Sequence, residues 1–335
     1  MPRFLFTLAR HHVDRRACCA LALVAAAGAF GPAFAQAWPA KPVSVVVGVP
    51  PGGALDPFAR LLADNLAKVT GGTFVVENKA GANGNLSAES VLRAPADGHT
   101  LWIGTQSMVT INPAAFTQLR WKGSDFKPVL KGVEAPLVLV THPSVPARNF
   151  QELTDWIKNP SNKAAYASFS PGTPSHFLGY QLNERLKADM AHIPYKGSGP
   201  QTTDLLGGQV LMGFTQLASA VPHLKEGKLR AIAVTSAKRS RFLPDVPTLA
   251  ELGHPDLSTT IWFGLFAPAG TPAATLEAIR AAAAKVQADP AYRGRAEALN
   301  LDVATEDVPA FEKTIAMETK RWAELVKATG FKAAD

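Results

Sequence analysis

The sequence predicts an α/β fold of two lobes, with mostly parallel sheets, flanking helices and two crossover segments that form a hinge. Three observations carry this expectation. Val43, Val45, Val46, Val47 and Val49 make a β-branched run of the kind found in a parallel strand covered on both faces. Strand-like and helix-like stretches then alternate over most of the 335 residues, the pattern of strands joined by crossover helices. Finally, two extended segments, near 137–141 and 260–267, suggest a chain that leaves a first lobe, builds a second and returns.

The first strand runs directly into Pro50, Pro51, Gly52 and Gly53. Glycine lacks a Cβ, so the backbone there can take positive φ and let a ligand approach its amides. Asp56 fits an N-cap and Pro57 a first helical residue, which would aim free N–H groups and the positive end of a helix dipole at the loop. A phosphate or carboxylate can be held in such a place without a cationic side chain. The helix is expected over 58–69, stopping at Gly71 and Gly72. A strand over 73–77, a helix over 82–93 and a strand over 100–104 follow. The stretch 133–141 is extended around Pro136, and 150–158 is a helix with one apolar face. The second lobe begins with a strand over 164–168 and helices over 175–186 and 201–206, then strands over 210–214 and 229–235. The chain returns as a strand over 259–267 and closes with helices over 273–288 and 308–328. The expected lobes are 36–137 together with 262–335, and 138–261.

Ahead of this lies a removable address. Arg3, Arg10, Arg15 and Arg16 precede an uncharged stretch, and Ala33 and Ala35 form a signal-peptidase site, so export to the periplasm with cleavage near Ala35 is expected. The strongly apolar part, 17–30, is too short for a spanning helix, which needs about 20 residues. Both cysteines, Cys18 and Cys19, leave with the leader, so no disulfide or cysteine chemistry is expected in what remains. The formal charge is +7, of which the leader's four arginines and one aspartate carry +3. No basic cluster with interleaved aromatics appears, which argues against nucleic acid. The eight histidines do not fall at metal-ligand spacing, and neither a Gly-x-Gly-x-x-Gly after a strand nor a Walker loop is present, so no metal and no cofactor is expected.

In open α/β sheets ligands bind beyond the carboxyl ends of strands, so further loops in that position become candidates. Gly104-Thr-Gln-Ser107 contributes Gln106. Ser168-Phe-Ser-Pro-Gly-Thr-Pro-Ser-His176 contributes Ser168, Gly172, Thr173, Pro174, Ser175 and His176, with Thr173 as N-cap and Pro174 as first helical residue. Together with Pro51, Gly52, Gly53, Ala54, Leu55 and Asp56, this loop would place two helix N-termini on one cleft, facing a single carboxylate. The hydroxyls can equally serve as local caps. His176 can be read as a base beside Ser168 or Ser175, although no acidic orienter accompanies it, or as a hydrogen-bonded structural histidine. Tyr195, in the loop before another helix start, can wall the cleft or simply pack.

The ordered set of short motifs resembles the Bug family, the extracytoplasmic receptors of tripartite tricarboxylate transporters. It includes Trp38-Pro-Ala-Lys-Pro42, Pro50-Pro-Gly-Gly-Ala-Leu-Asp56, Val76-Glu-Asn-Lys-Ala-Gly-Ala82, Ala96-Asp-Gly-His-Thr-Leu101, Ile193-Pro-Tyr-Lys-Gly-Ser198, Asp204-Leu-Leu-Gly-Gly208 and Phe263-Gly-Leu-Phe-Ala-Pro268. The resemblance implies a type II-like periplasmic binding fold that closes on a small organic anion without catalysis. It also implies that the loops of 51–56 and 168–176 grip one carboxylate, largely through backbone amides and ordered water. Gly48-Val49 stands where the family has Pro-Phe, Ala54-Leu55 where it favours a Gly-Thr-like pair, Ser170 where it has glycine and Leu211 where it has an acidic residue. Leu55 in particular suggests a less polar or differently shaped ligand. The expected function is therefore a monomeric solute receptor that delivers a carboxylate to membrane transporter subunits. The rivals are a secreted serine hydrolase using Ser168 or Ser175 with His176, and the ligand-sensing partner of a signalling system.

Overall fold

The computed structural model describes residues 38–51 and 53–333. The expected leader, its cysteines, its cleavage site near Ala35, and Gly52 lie outside the described residues. Strand β1, Val43–Val47, is buried at every position except Ser44, which is half-buried. It stops two residues sooner than the valine run suggests, because a close approach intervenes at Gly48. A Cβ there would sit 2.7 Å from Gly84 Cα and 2.8 Å from Met108 Cε. Helix α1, Leu55–Thr70, buries Leu55, Phe58, Leu62 and Leu66 and ends on Gly71 at φ 71°, the left-handed position that glycine fills without strain. Then come β2 (Phe74–Asn78), a 3₁₀ turn (Ala82–Gly84), α2 (Asn85–Arg93) and β3 (Thr100–Thr105). A π-helical turn, Ser107–Ile111, leads into the short α3, Asn112–Ala115.

β4, Phe126–Thr141, is a single strand of 16 residues, beginning seven residues before the extended stretch read from the sequence. α4 (Phe150–Lys158) is capped by Asn149, whose side chain accepts from Glu152 N at 2.9 Å. β5 (Ala165–Ser168), α5 (Pro174–Leu186), β6 (Ala191–Pro194) and α6 (Ser198–Leu206) follow, then β7 (Met212–Gln216), α7 (Leu217–Lys225) and β8 (Arg230–Val234). The chain returns through β9 (Thr260–Pro268) to α8 (Ala273–Ala288), α9 (Pro290–Ala298), β10 (Asp302–Val303) and α10 (Val308–Thr329). α10 carries Asp307 as its side-chain cap and Gly330, at φ 65°, as its stop.

The strand order is β2-β1-β3-β9-β4-β7-β5-β6, with β8 and β10 also paired to β4. β1 lies parallel to β2 and β3, and β5 lies parallel to β6 and β7. β9 is antiparallel to both β3 and β4, and β4 is antiparallel to β7. Strands β1–β3 therefore run with β4, and β5–β7 run against it. β4 pairs with β9 as far as Pro136 and with β7 from Leu137 onward. The carboxyl ends of the two parallel groups thus converge from opposite sides on the Pro136–Leu137 junction, which is where ligands of open α/β sheets bind.

Thr235 ties this junction together. Its hydroxyl accepts from Leu137 N at 2.9 Å and donates to Thr259 O at 2.7 Å, fully buried between both crossing segments. Its main chain repeats the link, through Thr235 N to Leu137 O and Thr259 N to Thr235 O.

Candidate functional site

The loop after β1 enters α1 by a different route from the one the Asp-Pro pair suggests. The N-cap is Ala54, at φ −64°, with no side chain bonded to the first helical N–H groups. Asp56 lies inside the helix. Its carboxylate takes bonds from Arg60 at 3.1 and 3.0 Å and from Asn78 Nδ2 at 2.9 Å. Burial works to raise the pKa of Asp56, but those hydrogen bonds outweigh it and hold the group below the usual carboxylate range. Asn78 also donates to Val49 O at 3.0 Å, so Asp56, Asn78 and Arg60 brace the loop against β2. The expected N-cap role of Asp56 is thus replaced by a positioning role, and the N-terminus of α1 stays uncapped by side chains.

Facing it is the start of α6. An added Cβ on Gly53 would lie 3.3 Å from Ser198 Oγ. α6 also begins without a side-chain cap, on Gly197 at φ 115°. The starts of two helices from opposite sides of the junction, α1 and α6, therefore approach each other. Between them opens a cavity of about 500 Å³. Gly53, Ala54 and Pro57 line it from α1 and its loop, and Gly199, Thr202, Thr203 and Leu206 from α6. Ala218, Ser219, Pro222 and His223 of α7, with Leu299 and Leu301, complete the lining. Nothing local in the sequence marks Thr202, Ser219 or His223, since tertiary proximity alone brings them here. A second cavity, about 300 Å³, lies among Trp102, Trp121, Phe126 and Phe266 and the α10 residues Glu312 and Ile315, within the aromatic packing of the β3–β9 face.

None of the residues 168–176 lines the larger cavity. Thr173 and Pro174 do start α5 as expected, but Thr173 Oγ1 donates to Ser170 O at 2.7 Å rather than capping the helix. Ser175 Oγ accepts from Phe169 N at 3.2 Å. Ser170 Oγ donates to Asn83 Oδ1 at 2.5 Å, and Asn83 Nδ2 donates to Pro171 O at 2.8 Å. Gly172, at φ 68°, packs so closely on Phe331 that a Cβ would come within 2.9 Å of its ring. This loop consequently joins the β5 side of the molecule to Asn83 and the carboxyl-terminal segment. Tyr195 uses its hydroxyl on Asp204, at 2.9 Å, and packs in the core between β4 and α7. Gln106, 1% exposed, sits beside the buried Glu318 carboxyl of α10 and does not line the cavity.

His176 is not paired with a serine as a base. Its Nδ1 accepts from Gly172 N at 3.2 Å, and its ring stacks on His192 at 4.1 Å, with Tyr166 on the far face of His192. The serine that does meet a histidine is Ser168, 2.7 Å from His192 Nε2, and it is fully buried. No acidic side chain is bonded to His192 among the described residues, so the orienting third member of a hydrolytic triad is missing there.

Burial lowers the pKa of both rings to about 4, helped at His176 by the neighbouring His192. Both are therefore neutral at pH 7 in the folded chain. Below pH 6.5 the unfolded chain takes up protons that these rings refuse when folded, so stability falls as pH drops from 6.5 towards 4 and levels off beyond it. Both rings keep some solvent contact, so the expected loss is about 2–3 kcal/mol. Melting temperature measured from pH 7.5 to 4 checks this, and the dependence should roughly halve in His176→Phe, which preserves the stack.

Among the described residues no helix is long and apolar enough to cross a membrane. Over 58–331 the chain matches the family described as "Tripartite tricarboxylate transporter family receptor". It is 34% identical over 316 residues to the protein BugT of Bordetella pertussis, an alignment covering 92% of this chain and 95% of that protein. Its fold superposes on the periplasmic binding protein BugD with a TM-score of 0.80 at 33% identity, covering 88% of this chain and 99% of BugD. A protein of R. palustris solved with adipate gives a TM-score of 0.83 at 29% identity over 88% of this chain and 99% of its own.

Proposed function

The chain belongs to the tripartite tricarboxylate transporter receptor family, as a periplasmic solute-binding protein, and from that premise we propose how it takes its solute. The ligand is a small carboxylate held between two lobes, 36–137 with 262–335 and 138–261, that close about the Thr235 junction. The single observation that carries this reading is the approach of Ser198 to Gly53, which lines a cavity of about 500 Å³, with neither helix start capped by a side chain. Free N–H groups from 53–56 on one side and from 198–199 on the other suit the two oxygens of one carboxylate. Leu55 anchors the start of α1 in the core beside exposed Pro51, and Asp56 holds the loop in register through Arg60 and Asn78.

The loop of Ser168, Gly172, Thr173, Pro174, Ser175 and His176 acts as a latch, its contacts with Asn83 and Phe331 favouring the closed form. Tyr195 supports α6 through Asp204. The receptor works without catalysis, as a monomer released by cleavage near Ala35, and hands its solute to the membrane subunits of a tripartite transporter. The test is thermal melting of the 36–335 chain with a panel of carboxylates and their uncharged amides. A bound carboxylate at 100 times its Kd adds about 2.7 kcal/mol, and the matching amide should add far less. If no carboxylate raises the melting temperature, the reading is wrong.

A further inference from the structure

Phe177 of α5 is fully buried, yet what buries it comes from the other expected lobe. The apolar cluster that encloses it consists of Ile111, Ala115, Phe116, Trp322 and Val326, with Phe331 among the half-buried residues packed against them. Among the described residues Phe177 is the one member of that cluster from 138–261, and the others all come from 36–137 and 262–335. Its ring centroid lies 5.8 Å from that of Trp322 and 5.7 Å from that of Phe331. After Gly330, at φ 65°, the chain turns off the end of α10 and crosses the start of α5. There the Phe331 ring stands edge-on to His176 at 5.0 Å and packs on Gly172. Ala333 N then donates to Ala115 O at 2.9 Å, which fastens the segment to α3.

We infer that the carboxyl-terminal segment 330–333 is a strap that holds the two lobes together whether or not a solute lies between them. The inference rests on the two-lobe reading above, and it deepens the latch role of 168–176 by naming what grips that loop from outside. Every contact of the strap is made by the chain itself, so a solute is not needed for it to act. A hinge motion about the Thr235 junction that parts the lobes withdraws Phe177 from its cluster and lifts Phe331 off His176, turning aromatic surface out to water. The bonds of Asn83 with Ser170 and Pro171 break in the same motion. These costs keep the open form scarce, and the strap thereby sets how often the lobes part.

Distance measurement between two spin labels, one on Lys68→Cys in α1 and one on Lys158→Cys in α4, tests this on the 36–335 chain without solute. Both lysines are exposed, one in each lobe, and no other cysteine is present in 36–335. The unmodified chain should give one dominant distance. Removing the ring in Phe331→Ala should raise the population at a second, open-form distance about tenfold. Phe331→Leu, which keeps apolar bulk, should fall between the two, and Lys332→Ala, an exposed neighbour, should leave the distances as they were. Urea unfolding with an unchanged slope shows that each variant is folded, and if Phe331→Ala fails that control, Phe331→Leu decides by its own shift. An unaltered distance distribution in the folded Phe331 variants overturns the strap. So does an equal change in Lys332→Ala, which would mark a general loosening of the chain end. Because no solute takes part, that failure leaves the carboxylate reading to the melting panel.

Discussion

Replacing Gly53 with valine should abolish solute binding while leaving the protein folded. Gly53 does not hold a left-handed backbone, so a β-branched residue can adopt its conformation. The one close neighbour of an added Cβ is Ser198 Oγ, at 3.3 Å, a hydroxyl that can rotate away. The two γ-methyls of valine would then occupy the space between the starts of α1 and α6 and screen the N–H groups that a carboxylate needs. Losing that grip corresponds to at least about 100-fold in affinity, or roughly 2.7 kcal/mol. Gly53→Ala should lose only a few-fold, because a single methyl narrows the mouth without covering the amides. Calorimetry with the best carboxylate from the melting panel measures both variants, and the unliganded melting temperature serves as the folding control. Unchanged affinity in Gly53→Val would move the anion site elsewhere.

Which parts of this design were legible beforehand follows from where the information resides. β1, β3 and β9 are buried on both faces and are spelled out by local hydrophobic runs, so the sequence locates them. β6 is mostly exposed, β10 is two residues long, α9 buries only Tyr292 and Ala296, and α7 carries Pro222 inside it. Each of these lacks the periodic apolar signal that sequence reading depends on, and tertiary pairing supplies what local preference does not. The helix start after the double glycine was readable, whereas the role of Asp56 was not. Asp-Pro is a good N-cap signature, but the i,i+4 pairing with Arg60 and the bond from Asn78, 22 residues away, hold Asp56 inside the helix instead. The hydroxyls of 168–176 are legible as a loop after a strand, but their partners are not, since Asn83 and His192, which meet Ser170 and Ser168, lie 87 and 24 residues away.

Thr235→Val should be the most damaging single change at the junction between the two parallel groups. Valine nearly matches threonine in shape and keeps the extended backbone, so packing is preserved and only the hydroxyl is lost. Two buried main-chain groups then lose a partner, Leu137 N–H at 2.9 Å and Thr259 C=O at 2.7 Å. The carbonyl has no other hydrogen bond described, and each group left unsatisfied in a dry interior costs about 1–3 kcal/mol. The expected loss is therefore about 2–4 kcal/mol, and Thr235→Ser, which keeps the hydroxyl, should recover most of it. Urea unfolding measures this as a lower midpoint at unchanged slope. Because Leu137 and Thr259 lie on the two crossing segments, the same change should loosen closure and weaken carboxylate binding in proportion to any rise in the open population. A Thr235→Val midpoint within error of the unmodified protein would mean that the main-chain bonds between these segments suffice, and that the threonine hydroxyl is not what pins them.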